Sequence, residues 1–195
     1  LLFSLAPSPG ENWIDLCCGT GDLSLALAQL VQPDGSVLGV DFSASQIDQA
    51  KKRSFNCPHL PISWLTEDAL NTGLPSCSFD GVVMAYGLRN LLDPEVGLKE
   101  IHRLLKPGAQ AGILDFNRPI EGSKTSDFQK FYLRRVVVPI ASWMGLKDEY
   151  AYLEKSLMSF PEGNLQKQIA MKVGFAEVSY KLLAGGQMGI LLLKA

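Results

Sequence analysis

The sequence is short of histidine, of basic charge and of any long apolar run. It has 2 histidines in 195 residues, and 18 Lys and Arg against 20 Asp and Glu, for a net charge of −2 and a pI near 5.7. Such a balance offers no basic field to a polyanion, so nucleic acid is excluded as a partner. No stretch reaches the length of a membrane-spanning helix, and no signal or transit peptide is visible at the start. There is no internal repeat, no low-complexity tract and no block of like charges. Four cysteines, Cys17, Cys18, Cys57 and Cys77, make no CxxC pair and no ligand spacing, which predicts reduced, mostly buried thiols and no metal. The chain opens on Leu1 rather than Met and reaches its first strand-like run by Trp13, so a missing N-terminal segment is expected.

What is present is apolar bulk, 47% of the residues, enough for one domain over residues 1–195 with a full core. Strand and helix patterns alternate. Residues 13–17 (WIDLC) read as a short buried strand. Residues 22–32 read as a helix with Leu23, Ala26, Leu27 and Leu30 on one face. After a turn at Pro33-Asp34-Gly35, residues 36–41 (SVLGVD) form a second strand. A helix follows at 43–53, capped by Ser43 or Ser45. Residues 62–66 and 79–86 are the third and fourth strands. A helix at 93–105 has Asp93 as its cap and Pro94 at its first position, with Val96, Ile101, Leu104 and Leu105 pointing inward. Pro107-Gly108 ends that helix, and 109–116 is a fifth strand. A mostly helical stretch runs to about residue 173, then FAEVSYKLL and MGILLLK, separated by AGGQ, predict an antiparallel hairpin at the sheet edge. Short buried strands with intervening helices imply an α/β fold, Rossmann-like, with a mostly parallel doubly wound sheet.

The chemistry starts at DLCCGTGD, residues 15–22. An apolar strand feeds the glycine turn Gly19-Thr20-Gly21, which feeds a helix, and Asp41 ends the second strand about 20 residues later, where an acid binds ribose hydroxyls. The ligand is therefore expected to carry an adenosine ribose. Two classes fit, the nicotinamide or flavin dinucleotides and S-adenosylmethionine. A dinucleotide loop has a third glycine where this chain has Ser24. Asp22 also stands where a pyrophosphate would meet the helix N-terminus, and repels it. A ligand with an ammonium and a sulfonium tolerates that carboxylate, and Asp15 adds a second; both features favour S-adenosylmethionine. The plain alternative for Asp22 is a helix-terminal charge worth a few tenths of a kcal/mol. Asp68-Ala69, after the third strand, form an acid-plus-small pair of the kind that lies beside an adenine.

Two further stretches carry a resemblance, MAYGLRNLLD at 84–93 and HRLLKPGAQAGILDFNRP at 102–119. With the D-L-x-x-G-T-G-D loop they resemble the quinone-biosynthesis C-methyltransferases, the family that makes ubiquinone and menaquinone, and the likeness covers essentially the whole chain. Cys17-Cys18, LDFNRP (114–119), VVVP (136–139), DEYAYL (148–153), SFPEG (159–163) and AGGQMG (184–189) are most similar to its cyanobacterial and plastid branch, which methylates a phytylated naphthoquinone.

The resemblance implies a class I methyltransferase fold. It also implies S-adenosylmethionine-dependent methylation of a prenylated naphthoquinol, the last methylation towards phylloquinone. Demethylmenaquinone or a ubiquinone precursor are alternative acceptors. A nicotinamide-dependent oxidoreductase and a non-catalytic scaffold remain rival readings. The resemblance carries ligand contacts over to Thr20, Asp41, Asp68 and Ala69, and the full cofactor set expected is Asp15, Gly19, Thr20, Gly21, Asp41, Phe42, Asp68, Ala69 and Ala85; Ala85 is a departure, because many members have Ser there. A further departure is the N-terminal segment, which in relatives helps cover the cofactor. Two partners stay open beside the quinol: a membrane surface met peripherally through the substrate's apolar tail, and a second copy in a homodimer. The compartment expected is the cytoplasm or the plastid stroma.

A carbon nucleophile needs help, and a quinol supplies it once a ring hydroxyl loses its proton. Neither His59, in a loop, nor His102, on a helix, reads as a general base. Arg89 can stabilise a developing phenolate, Asn90 can orient the hydroxyl or a bridging water, and Tyr86 can wall the ring. The plain alternative for these three is a structural turn, in which a buried Arg89 would require a partner. Phe128, Phe131, Tyr132 and Trp143 are expected to line the groove for the substrate's tail.

Overall fold

The alternating runs form seven strands and the helices between them in a computed structural model that describes residues 1–118, 156 and 160–195. The strands are β1 (Asn12–Leu16), β2 (Ser36–Asp41), β3 (Ile62–Thr66), β4 (Phe79–Ala85), β5 (Leu105–Phe116), β6 (Glu177–Leu183) and β7 (Met188–Lys194). The helices are α1 (Leu2–Leu5), α2 (Asp22–Val31), α3 (Ala44–Phe55), α4 (Pro94–Leu104) and α5 (Gly163–Val173). The sheet order is β3-β2-β1-β4-β5-β7-β6. The first five strands of that order pair in parallel, and β7 pairs antiparallel with both β5 and β6. The chain runs outward to β2 and β3 on one side of β1 and to β4 on the other. The strand order therefore reverses between β1 and β4, where open α/β sheets hold their ligands.

Neighbouring β1 residues serve opposite faces, as strand geometry requires. Ile14 and Leu16 join Met84, Ile101 and Leu104 in one core. Trp13 joins Leu27, Val31, Val37 and Val83 in the other. Each such large side chain, taken wholly out of water, contributes roughly 1.5–3 kcal/mol. The four thiols are free, Cys18 buried and Cys77 exposed, so only part of the expected burial holds. No helix among the described residues is long and apolar enough to cross a membrane.

The expected elements are present with shifted edges. β1 stops one residue early because Cys17 turns to φ 58° and leaves the ladder. Asp93 caps α4 as expected, its carboxylate accepting the Glu95 and Val96 amides, with Pro94 first in the helix. Ser43 holds the cap position of α3, but its side chain makes no capping bond; it pairs with the Ser45 hydroxyl at 2.9 Å. Pro107-Gly108 do not lie between a helix and a strand. β5 already starts at Leu105, opposite Phe79, and bulges before Gln110 meets Gly81.

Two helix faces are corrected. On α2 the buried residues are Ser24, Leu27, Ala28 and Val31, while Leu30 is 43% exposed. The helix is apolar on nearly every side, so periodicity cannot choose its face; the hydrogen bond from Ser24 to Asp15 does. On α4, Val96 is 38% exposed and Glu100 is buried instead. Glu100 accepts hydrogen bonds from Thr72 and Arg103, which satisfies its charge. The C-terminal hairpin forms as expected. It is fastened to the end of β5 by Tyr180 donating to Asn117 Oδ1 at 3.0 Å, and by Asn117 Nδ2 donating to the Gly186 carbonyl at 2.8 Å. Of the helical stretch expected up to residue 173, α5 falls within the described residues.

Candidate functional site

The ends of β1, β2 and β4 converge at the switch point. After β1 the backbone turns through Cys17, Gly19 and Gly21 with φ of 58°, 55° and 83°. Gly21 has no room for a side chain, since a Cβ there would lie 2.3 Å from the Trp64 indole. The Gly21 amide donates to the Cys18 carbonyl at 2.9 Å and closes the turn. Asp41, at the end of β2, secures the loop from the side. Its Oδ2 accepts the Gly19 amide at 2.8 Å and its Oδ1 accepts the Ser43 amide at 2.9 Å. A carboxylate has about four acceptor positions, so Asp41 is fixed in orientation with acceptor capacity left for a diol.

β4 ends at Ala85, and Tyr86 then takes φ 57°, a conformation that costs a non-glycine residue roughly 1–3 kcal/mol. Neighbouring side chains hold it there. Its carbonyl accepts from Asn90 Nδ2 at 3.0 Å and from the Arg89 guanidinium, and its hydroxyl lies 3.1 Å from Met188 Sδ. The Arg89 amide donates to Asp115 Oδ2 at 3.1 Å, and its guanidinium lies 3.5 Å from Asp115 Oδ1 and 5.4 Å from the centre of the Phe116 ring. Burial pushes the Asp115 carboxyl up, and the charge of Arg89 opposes that.

Two adjoining hollows open above these strand ends. One, of about 490 Å³, is lined by Asp15, Gly19, Thr20 and Ala85 among others. The second, of about 420 Å³, is lined by Phe42, Asp68, Ala69 and Asn90 among others. Cys17, Asp41 and Tyr86 border both. Either volume suits a small ligand. The described lining contains the carboxyl groups of Asp15, Asp22, Asp41 and Asp68 and no lysine, arginine or histidine. Asp15 is 1% exposed, and burial pushes its carboxyl up to about 7 against the hydrogen bond from Ser24 at 2.6 Å. Asp22 is lowered, first by its hydrogen bond from Arg53. Burial, and then the surrounding carboxylates, push the Cys17 thiol up to about 12, so at neutral pH it is a neutral wall and not a nucleophile.

Most of the residues expected from the sequence thus meet in one place. Gly21 and Arg89 border neither hollow: Gly21 lies over Trp64, and Arg89, its side chain 12% exposed, faces Asp115. Asp22, expected to repel a pyrophosphate at the helix N-terminus, is paired with Arg53, which offsets its charge. The partner that a buried Arg89 requires is Asp115. Phe128, Phe131, Tyr132 and Trp143 lie outside the described residues. Sequence reasoning missed Cys17, Gln46, Leu70, Leu91 and Leu92 as lining residues. Cys17 was accessible to it, as the residue where the first strand gives way to the glycine turn. Leu91 and Leu92 stand at the end of the MAYGLRNLLD stretch, while Gln46 and Leu70 lie on a helix and a loop with no pattern to single them out.

A sheet in this order, with a glycine loop after β1 and an acid at the end of β2, is the architecture of the Rossmann-like class I methyltransferases. The chain belongs to the ubiE/COQ5 methyltransferase family, whose model matches residues 4–192. It is 46% identical over 186 residues, 95% of this chain and 81% of the relative, to a 2-phytyl-1,4-naphtoquinone methyltransferase of Nostoc sp.. It is 37% identical over 190 residues, 94% of this chain and 71% of the relative, to the chloroplastic 2-phytyl-1,4-beta-naphthoquinone methyltransferase of Arabidopsis thaliana. Among solved structures, a SAM-dependent methyltransferase from Aquifex aeolicus superposes with a TM-score of 0.71 at 16% identity, over 99% of this chain and 86% of that one, a likeness of fold.

Proposed function

We propose that the chain transfers a methyl group from S-adenosylmethionine to a ring carbon of a prenylated 1,4-naphthoquinol, the reduced form of the acceptor in the names of its relatives. The observation that carries the proposal is the hollow beside the glycine loop in a chain of this family, bordered by carboxyl groups and by no described cationic side chain. The residues fit that methyl donor: it carries an ammonium and a sulfonium and no phosphate. A dinucleotide loop has a third glycine where this chain has Ser24, which is buried and committed to Asp15 by a hydrogen bond at 2.6 Å, and this disfavours the oxidoreductase reading.

When bound, the donor supplies an electrophilic methyl on a sulfonium. Asp41, its carboxylate held by the Gly19 and Ser43 amides, accepts from the ribose hydroxyls. Asp68, its Oδ1 fixed by the Leu70 amide at 2.9 Å, and Ala69 line the second hollow and would hold the adenine end. Tyr86 and Asn90 face the acceptor ring, Asn90 orienting a ring hydroxyl or a water. Arg89 acts from behind: it holds the Tyr86 carbonyl and sets the field of Asp115 beneath the same wall. The acceptor provides its own nucleophile, since a ring hydroxyl that gives up its proton raises electron density at the carbon that is methylated. Phe128, Phe131, Tyr132 and Trp143 are proposed for the apolar tail, which brings the protein to a membrane surface in the cytoplasm or the plastid stroma.

Two measurements test the proposal. S-adenosylhomocysteine at about 100 times its dissociation constant should stabilise the fold by roughly 2.7 kcal/mol, and NAD should not. Methyl transfer should then require a reductant such as dithionite, because the oxidised ring lacks a nucleophilic carbon. Equal turnover of the quinone under strictly oxidising conditions would sink the mechanism.

A further inference from the structure

The glycine loop is gripped by a residue that itself borders neither hollow. Arg53, in the last turn of α3, donates through one guanidinium nitrogen to the Thr20 carbonyl and the Thr20 hydroxyl, both at 2.9 Å. Its other terminal nitrogen pairs with the Asp22 carboxylate. The next residue, Ser54, accepts a hydrogen bond from Trp64 Nε1 at 3.0 Å, and the Trp64 ring is the surface on which Gly21 lies. Two consecutive α3 residues therefore hold the loop, Arg53 directly and Ser54 through Trp64.

This arrangement is not explained by stability. The Arg53 and Asp22 side chains are 43% and 80% exposed, and exposed pairs contribute little to folding. What the pair does is geometric. Thr20 and Asp22 flank Gly21, whose freedom would otherwise let the turn take many shapes, and one planar fork engages both at once. Lysine has no such fork. A loop held in its bound shape before the ligand arrives loses less conformational freedom on binding.

We propose that Arg53 is a positioning residue for the nucleoside site: it preorganises the Thr20–Asp22 arc of the glycine loop for the methyl donor. The proposal rests on the methyl-donor reading above and adds to it a residue about 30 positions beyond the loop, on another element.

The test compares wild type with Arg53→Gln, Arg53→Lys, Asp22→Asn and the double variant Asp22→Asn/Arg53→Gln. Three quantities are read: amide hydrogen exchange over residues 19–22 without ligand, melting temperature, and the calorimetric affinity for S-adenosylhomocysteine. Arg53→Gln should speed exchange in the loop and weaken affinity about tenfold, the size of one charge-assisted hydrogen bond. Its melting temperature should stay within about 2 °C, as for the loss of an exposed pair. Arg53→Lys should resemble Arg53→Gln, and the double variant should be no worse than Arg53→Gln alone. In turnover, the KM for the methyl donor should rise with kcat nearly held. Wild-type loop exchange and affinity in Arg53→Gln would overturn the proposal, as would fully additive losses in the double variant. Failure of the wild type to bind S-adenosylhomocysteine would strike the methyl-donor reading instead. The exchange comparison needs no ligand and still decides whether Arg53 holds the loop.

Discussion

Asp15→Asn should make the protein more stable, and increasingly so as pH rises from 4 to 7. The carboxyl is 1% exposed at the end of β1, and burial pushes it from 3.8 up to about 7. In the unfolded chain it ionises near its ordinary value. Between those two values the folded state binds the extra proton, so stability falls with rising pH, by about 1.4 kcal/mol per unit for this one group. The contribution is full below pH 4 and lost by about pH 7. Across some 3 units the ionised form therefore costs up to about 4 kcal/mol. Asparagine removes the charge and keeps an oxygen to accept the Ser24 hydroxyl, which donates at 2.6 Å. Other carboxyl groups titrate in both proteins, so the informative quantity is the difference between variant and wild type. It is measured by denaturant unfolding at pH 5, 6, 7 and 8. The difference should grow to pH 7 and then flatten. Ser24→Ala removes the bond that favours the carboxylate and should move the break to higher pH. A difference that is constant from pH 5 to 8 would show that Asp15 is ionised throughout and refute the argument.

Two other substitutions are informative. Asp41→Ala should weaken S-adenosylhomocysteine binding by roughly 1.5–3 kcal/mol, the range for a hydrogen bond to a charged group. It should also lower the melting temperature, because the Gly19 and Ser43 amides lose their acceptor; unchanged calorimetric affinity would remove Asp41 from the site. Arg89→Lys keeps a charge beside Asp115 but cannot span it and the Tyr86 carbonyl together, so melting temperature and single-turnover methyl transfer should fall together. A rate loss on the order of 10²–10³ in a variant of unchanged melting temperature and cofactor affinity would restore Arg89 to direct stabilisation of the phenolate, and near-normal transfer would strike it from both roles.

The local chain determined its own elements wherever a physical signal is confined to neighbouring residues. The run SVLGVD is β2, Asp93-Pro94 starts α4, and the hairpin turns at AGGQ. The glycine loop and Asp41 could be named because a turn that requires positive φ and an acid at a strand end are written in a few consecutive letters. Tertiary structure decided what depends on which strands become neighbours. α2 is apolar around most of its surface, so its inward face was chosen by Ser24 reaching Asp15 and not by period. Glu100, a charge on an otherwise amphipathic helix, turned inward because Thr72 and Arg103 were there to meet it. Asp22 became the partner of Arg53, and Arg89 the partner of Asp115, through pairings between residues 26 or more positions apart, which no local pattern records. The sequence by itself determined the kinds of groups at the site, because residue type and turn chemistry are local. Only the folded sheet decided which of those groups border the hollows and which hold them from behind, because that depends on long-range contacts made when β1 comes to lie between β2 and β4.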